Sequence, residues 1–297
     1  KIIKTSLTSP DTITLHKNLN YLKNKNINNA IIEASSHGLE QKRLHNIKFK
    51  GAIFTNFSQD HLDYHKTMKS YLNAKLILFR KILGKKSTII TNSRIPIFKI
   101  LNQIANKKNL KILSINNTFK KIEDIDLKLN EDFKIRNLAM AIEAAKLCGL
   151  KEKLIFSSLN KLKDVNGRLE LIKIYPKDVR VYIDYAHTPD ALLETLKSLK
   201  KNYGNNISLV FGCGGERDQT KRPLMAKIAN DNCKKIYITD DNPRNEKPQK
   251  IRKDLSKNIS KSKSFNIGNR SLAIKKAILN ADQQEVILIA GKGHEEQ

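Results

Sequence analysis

Between positions 33 and 43 the chain reads Glu33-Ala34-Ser35-Ser36-His37-Gly38-Leu39-Glu40-Gln41-Lys42-Arg43. Carboxylate, hydroxyl, imidazole, amide and cationic groups crowd into one short segment. Such a set suits a polar, anionic ligand, because a guanidinium can make charge-assisted bonds to a ligand carboxylate. The apolar run Ala30-Ile31-Ile32 just before it predicts a buried strand. Polar groups at the end of a parallel strand sit where α/β proteins bind ligands.

A second cluster is Asp60-His61-Leu62-Asp63-Tyr64-His65. Two imidazoles and two carboxylates could hold a transition metal. Zinc sites favour three or four N/S ligands at fixed spacing, and no cysteine is near, so a structural cluster at a helix start is the competing reading. Lys75 lies in the mostly apolar stretch Asn73-Ala74-Lys75-Leu76-Ile77-Leu78-Phe79. Pattern alone describes a lysine whose stem covers apolar surface while its amine reaches water. The turn Gly212-Cys213-Gly214-Gly215 lacks GxGxxG spacing and predicts a tight strand-to-loop turn, with Cys213 as a small packed residue. No GxxxxGK[ST] phosphate loop occurs.

The elements that must position these groups alternate between strand-like and helical patterns. Residues 27–34, 51–56 and 87–92 predict buried strands, with helices over 12–25 and 69–83. A helical pair, 135–148 and 151–161, follows, with Gly149 placed to stop its first member. A second α/β unit begins near Val165-Asn166-Gly167. Its predicted strands are 168–174, 179–185, 207–211, 235–239 and 285–290, and its helices 189–201, 221–231, 248–257 and 271–279. Pro189 and Pro223 suit helix starts. The alternation predicts parallel sheets with crossover helices, in two domains, 1–165 and 166–297.

The chain has 297 residues and a formal charge of +27. The lysines are scattered among Asn and Ile, with no long basic block. The charge therefore reads as a solvated surface or as attraction for polyanionic small molecules such as nucleotides. A basic nucleic-acid-binding protein is the rival from another class, but no recognition motif supports it. Three cysteines without CxxC or zinc spacing suggest a reducing compartment and no disulfide framework. No apolar run approaches membrane-spanning length.

Six segments, in order along the whole chain, resemble the Mur ligases that add the third residue of the peptidoglycan stem peptide. They are the 33–43 segment, Thr55 to His65, Asp184-Tyr185-Ala186-His187-Thr188-Pro189-Asp190, Phe211 to Asp218, Asp240-Asp241-Asn242-Pro243-Arg244, and Ala290-Gly291-Lys292-Gly293-His294-Glu295. The resemblance implies a partial central domain of the phosphate-loop type, with a parallel sheet, followed by a Rossmann-like α/β domain. It also implies a chain lacking the N-terminal uridine-binding domain and the phosphate loop, and inactive by itself.

The resemblance implies residue roles as well. Lys75 matches the lysine that the family carries as a carbamate; Glu33, His61 and Lys75 would lie near magnesium. Thr8, Ser9, Ser35, Gln41 and Arg43 match positions that hold UDP-N-acetylmuramoyl-L-alanyl-D-glutamate, with Ser9 departing from the usual threonine. Asn137, Arg168 and Asp184 match ATP contacts, although the residues around Asn137 depart from the family pattern. Arg217, Asp241, Asn242, Pro243, Arg244, Gly291 and Glu295 match contacts to meso-diaminopimelate. The DNPR segment distinguishes this amino acid from lysine, because a guanidinium fork can grip its second carboxylate with two bonds. The implied activity is ATP-dependent amide ligation by a cytoplasmic monomer with magnesium as cofactor. A lysine-adding ligase of the same family is the near alternative. Neither a nucleic acid nor a membrane is an expected partner.

Overall fold

The computed structural model describes residues 7–125, 131–293 and 295. The elements run α1 (Thr12–Asn24), α2 (Ser36–Glu40), β1 (Gly51–Phe54), α3 (Leu62–His65), α4 (Met68–Ile77), β2 (Thr88–Thr91), α5 (Phe98–Lys108), β3 (Lys111–Ser114), α6 (Asn116–Glu123), α7 (Asp132–Leu147) and α8 (Glu152–Ser157). They continue with β4 (Glu170–Tyr175), β5 (Val179–Asp184), α9 (Pro189–Tyr203), β6 (Ile207–Phe211), α10 (Lys221–Asn232), β7 (Lys235–Ile238), α11 (Pro248–Ser256), β8 (Ser264–Asn266), α12 (Arg270–Leu279) and β9 (Val286–Ala290). The chain divides into two compact units. One ends at Phe57 and resumes from Thr67 to Lys161; the other takes Ser58–Lys66 and everything from Leu162.

The first unit carries a parallel sheet in the order β1-β2-β3. Its central strand β2 is buried throughout, as expected of a strand covered on both faces. Successive side chains point to opposite faces, so Ile89 enters a core with Phe54, Leu76, Phe79 and Leu101, while Ile90 enters one with Ile115, Met140 and Ile142. Asp11 caps α1 by accepting the Thr14 N–H at 2.9 Å. Gly149, at φ +95°, follows α7, in the left-handed region that glycine adopts without strain.

The expected strand over 27–34 does not form. Ile31 is 90% exposed, and among the described residues no strand pairs with this segment. An apolar run becomes a strand only when a neighbour takes its backbone N–H and C=O groups. Strand β3 and helices α5 and α6, absent from the sequence reading, complete the unit.

The second unit is a sheet of six strands in the order β4-β5-β9-β6-β7-β8. All neighbours are parallel except β4 and β5, which are antiparallel. These two run antiparallel because only a tight turn, Pro176–Asp178, joins them. A parallel connection needs a crossover of a dozen residues or so. Strands β6, β7 and β9 are the buried centre, with Leu209, Phe211, Ile236, Ile238, Ile287 and Leu288 inaccessible to solvent. Thr188 caps α9 through the Ala191 N–H at 3.3 Å, with Pro189 in the first turn. Among the described residues, no helix is long and apolar enough to cross a membrane.

Candidate active site

In the second unit the strand order places β9 between β5 and β6. The carboxyl ends of these strands and of β7 therefore gather the loops after Asp184, Ala290, Phe211 and Ile238. Crevices at such ends are where open α/β sheets bind ligands. The loop after β6 and the loop after β7 are laced together. Gly215 donates its N–H to Asn242 O at 2.9 Å. Arg244 donates from Nη1 to Gly215 O at 2.7 Å. A Cβ on Gly215 would stand 1.9 Å from Pro243 O, so only glycine fits this approach. Asp241 accepts the Asn242 N–H at 2.6 Å, and its carboxylate also faces Gly291, where a Cβ would lie 3.2 Å from Oδ2. Gly291 has φ +110° and donates to Asp184 O at 3.0 Å. Arg217 and Arg244 are exposed, as is Glu295.

Asp184 is buried at the end of β5. Its Oδ1 accepts the Ala186 N–H at 2.7 Å and the Thr195 hydroxyl at 3.3 Å; its Oδ2 accepts the Leu169 N–H at 2.6 Å. Burial pushes its carboxyl up, against the pull of the Ala186 and Leu169 N–H groups. Its side chain organises the loops on either side. Arg168 is exposed, with its guanidinium 4.4 Å from the centre of the Tyr185 ring, a geometry that holds a cation over an aromatic face. Cys213 is buried, and burial pushes its thiol up to about 11, which makes it unreactive.

The segment Ser58–Lys66 belongs to this unit. Gln59 donates from Nε2 to Asp218 Oδ2 at 2.9 Å and to Thr220 Oγ1 at 2.7 Å. Asp60 Oδ2 lies 3.4 Å from His61 Nε2 and 3.6 Å from His187 Nε2. Burial alone would raise the Asp60 carboxyl, but the His187 bond and the charges of His61 and Lys221 hold it well below the usual carboxylate range. Asp63 Oδ2 receives Arg217 Nη1 at 3.4 Å. His61 itself is left-handed, at φ 56°, immediately before α3. The 60–65 cluster is thus a helix start whose carboxylates face basic groups of the second unit. Among the described residues, no three His, Cys, Asp or Glu side chains form a metal-holding group.

In the first unit, Ser9 is fully buried and ties the 33–43 segment down. Its Oγ donates to Glu33 O at 2.7 Å and accepts the Ser35 N–H at 2.9 Å. Ser35 caps α2 by accepting the Gly38 N–H at 3.1 Å. Arg43 donates from Nη1 to Ser9 O at 2.9 Å and from Nη2 to Gln41 Oε1. Thr8 and Glu33 are exposed. Helix α2 packs on α4, which carries the half-buried Lys75, its Nζ 5.0 Å from the centre of the Tyr71 ring. Asn137 is exposed on α7.

A family model for the Mur ligase middle domain matches residues 1–146, and one for the Mur ligase glutamate ligase domain matches residues 167–293. The chain belongs to the Mur ligase family. It is 38% identical, over 97% of its length, to a UDP-N-acetylmuramoyl-L-alanyl-D-glutamate–2,6-diaminopimelate ligase of Rickettsia bellii, of which it covers 65%. It is 38% identical, over its full length, to the enzyme of the same name from Wigglesworthia glossinidia brevipalpis, of which it covers 64%. The chain thus spans just under two-thirds of these curated relatives. A solved structure of a ligase of that name superposes with a TM-score of 0.58 at 32% identity, covering 96% of this chain and 63% of the other. A folylpolyglutamate synthase from Mycobacterium tuberculosis shares the fold, with a TM-score of 0.62 at 14% identity, over 82% of this chain and 61% of the other.

Several residues that order these loops were not singled out by sequence reasoning. Gln59, Asp218 and His187 lie inside the six family segments, but their pairing across the chain left no local signal, and Asp60, read there as a candidate metal ligand, instead faces His187. Arg222 and Glu246 lie just beyond those segments and look like ordinary surface charges. Arg270 begins α12, donates from Nη2 to Ala290 O at 2.8 Å, and has a buried Nη1 without a partner. Burial lowers its basicity, while the charges of Asp241 and Glu295 oppose that shift.

Proposed function

We propose that this chain is part of an ATP-dependent ligase that joins meso-diaminopimelate to UDP-N-acetylmuramoyl-L-alanyl-D-glutamate. Residues 1–165 would serve as a central domain and 166–297 as a C-terminal domain. The observation that carries the reading is Arg244. Its guanidinium stands at the seam of the loops after β6 and β7, bonded to the neutral carbonyl of Gly215. A substrate carboxylate is a stronger acceptor than a neutral carbonyl, so the distal carboxylate of meso-diaminopimelate can take that fork. The names of the relatives support the same choice of amino acid.

ATP phosphorylates the D-glutamate side-chain carboxylate, releasing ADP and forming an acyl phosphate. The substrate amine attacks its carbonyl carbon, an amide forms, and phosphate and a proton leave. Arg217, Arg244, Asp241, Asn242, Pro243, Gly291 and Glu295 would hold the incoming amino acid, Glu295 taking its distal ammonium. Arg168, Asn137 and Asp184 would hold ATP, Arg168 from the face of Tyr185 and Asp184 by fixing the loop from 184 to 187. Ser35, Gln41, Arg43, Thr8 and Ser9 would hold the muramoyl dipeptide, Ser9 by anchoring Ser35 and Glu33. Fixed positioning of this kind supplies much of the barrier reduction in phosphoryl and acyl transfer.

The donor chemistry also fits magnesium, which prefers hard oxygen ligands and phosphates. Glu33 offers a carboxylate, His61 an imidazole, and Lys75 a carboxylate oxygen once its amine has added CO₂. When bound, magnesium would neutralise phosphate charge.

The test is turnover by the full-length protein that carries this sequence, given ATP, magnesium and the muramoyl dipeptide. ADP release and tripeptide mass should depend on meso-diaminopimelate, with lysine a poor substitute. No dependence, or equal use of lysine, would overturn the assignment.

A further inference from the structure

We propose that Arg222 and Glu246 form a buried clamp that sets the spacing of Arg217 and Arg244, and through it the affinity and choice of amino acid. The inference rests on the reading of that site given above. Arg222 is only 1% exposed, so it is out of a ligand's reach. Its Nη2 donates to Glu246 Oε1 at 2.8 Å and Oε2 at 3.0 Å. The same nitrogen lies 3.5 Å from Gly214 O, and Nη1 lies 3.5 Å from Asp254 Oδ2.

Glu246 closes the other side. It follows the DNPR segment, yet its Oε1 accepts the Glu216 N–H at 2.6 Å and Gln219 Nε2 at 3.4 Å. Asn245 adds a bond from Nδ2 to Glu216 Oε1 at 2.8 Å. One carboxylate therefore holds the backbone beside Arg217 while its own backbone holds the loop of Arg244. The Arg222 bond holds the Glu246 carboxyl below its usual range, despite an opposing contribution from desolvation, so it is ionised at neutral pH. Removing one partner of a pair that few waters reach leaves an uncompensated charge, so the loops must shift to relieve it. A ligand gripped by two arginines on two loops is sensitive to their separation, because displacements of an ångström already weaken such sites.

The test compares Glu246→Gln, Arg222→Lys and Asn245→Ala with the wild type in the full-length protein, measuring KM for each substrate, kcat and thermal midpoint. Glu246→Gln and Arg222→Lys should each raise KM for meso-diaminopimelate about tenfold, the worth of a bond to a charged group. KM for ATP and for the muramoyl dipeptide should stay near wild type, and preference over lysine should fall. Glu246→Asp, which keeps the charge, should recover part of the loss. Asn245→Ala alters an exposed side chain and should raise the same KM by a smaller factor, which keeps the proposal testable if the others do not fold. An unchanged KM for meso-diaminopimelate in the folded variants, or a parallel rise of all three KM values, overturns the clamp alone. A wild type without meso-diaminopimelate-dependent turnover overturns the underlying reading of the site.

Discussion

Gln59 donates to the buried carboxylate of Asp218 at 2.9 Å across a sequence separation of 159 residues. With the contacts of Asp60 to His187 and of Asp63 to Arg217, this bond makes Ser58–Lys66 a strap of the second unit, although the residues flanking it on both sides belong to the first. The strap carries His61, which the proposed function places near magnesium, so that proposal requires the strap to stay anchored.

Gln59→Ala should release this strap. Amide hydrogen exchange across 58–66 should rise while strands β6, β7 and β9 stay protected, because local opening draws on few buried contacts. Unaltered exchange over 58–66 would show that Gln59 does not anchor it.

Gly215→Ala should be costly. The new methyl would stand 1.9 Å from Pro243 O, and backbone cannot yield as a flexible side chain does. A destabilisation of about 1–3 kcal/mol, typical of overpacking, is expected in denaturant titrations, together with a weakened grip on meso-diaminopimelate. Wild-type stability and KM in this variant would contradict the close approach of the two loops.

Two exposed carboxylates should report on acid sensitivity. Lys121 and then Lys146 lower the Glu152 carboxyl to about 2, and Lys234 and then Lys235 lower Asp282 to about 2. Both folded values lie below the ordinary ones, so their stabilisation is fully present above the ordinary carboxylate range and is lost as pH falls toward 2. Glu152→Gln and Asp282→Asn should flatten the fall in thermal midpoint over that window. The difference should shrink at high salt, since solvent and ions screen exposed pairs. Identical pH profiles for wild type and variants at low salt would exclude these pairs as contributors.

Arg244→Ala should raise KM for meso-diaminopimelate far more than KM for ATP. Losing a hydrogen bond to a charged group costs about 1.5–3 kcal/mol, hence about a tenfold or greater loss of affinity. Steady-state kinetics with each substrate varied in turn decides this; equal shifts for both would argue against a carboxylate grip.

Lys75→Ala should lower kcat by about a hundredfold, the upper range for disturbing a metal-holding shell. A short carboxylic acid added to the assay should partly restore it by replacing the carbamate oxygens. Full activity of the alanine variant without additives would remove the carbamate from the mechanism.

Local residue patterns already mark where loops follow strands in the second unit. Apolar runs at 179–185, 207–211, 235–239 and 285–290, the last three followed directly by Gly or Asp, leave little choice of strand, and the polar motifs fall at their carboxyl ends. The helix start at Pro189 was legible because proline suits a first turn and little else in a helix, and Pro223 likewise falls in the first turn of α10. Tertiary structure decided which of these strands are neighbours. The insertion of β9 between β5 and β6 brings Gly291 to Asp241, and no periodicity encodes a pairing partner. It also decided that 27–34 forms no strand, because an apolar run reports burial only if another strand accepts its backbone. The strap at Ser58–Lys66 and the Arg222–Glu246 clamp were invisible for a related reason. A charge in sequence carries no sign of the distant charge that will neutralise it, and only folding brings the two within hydrogen-bond reach.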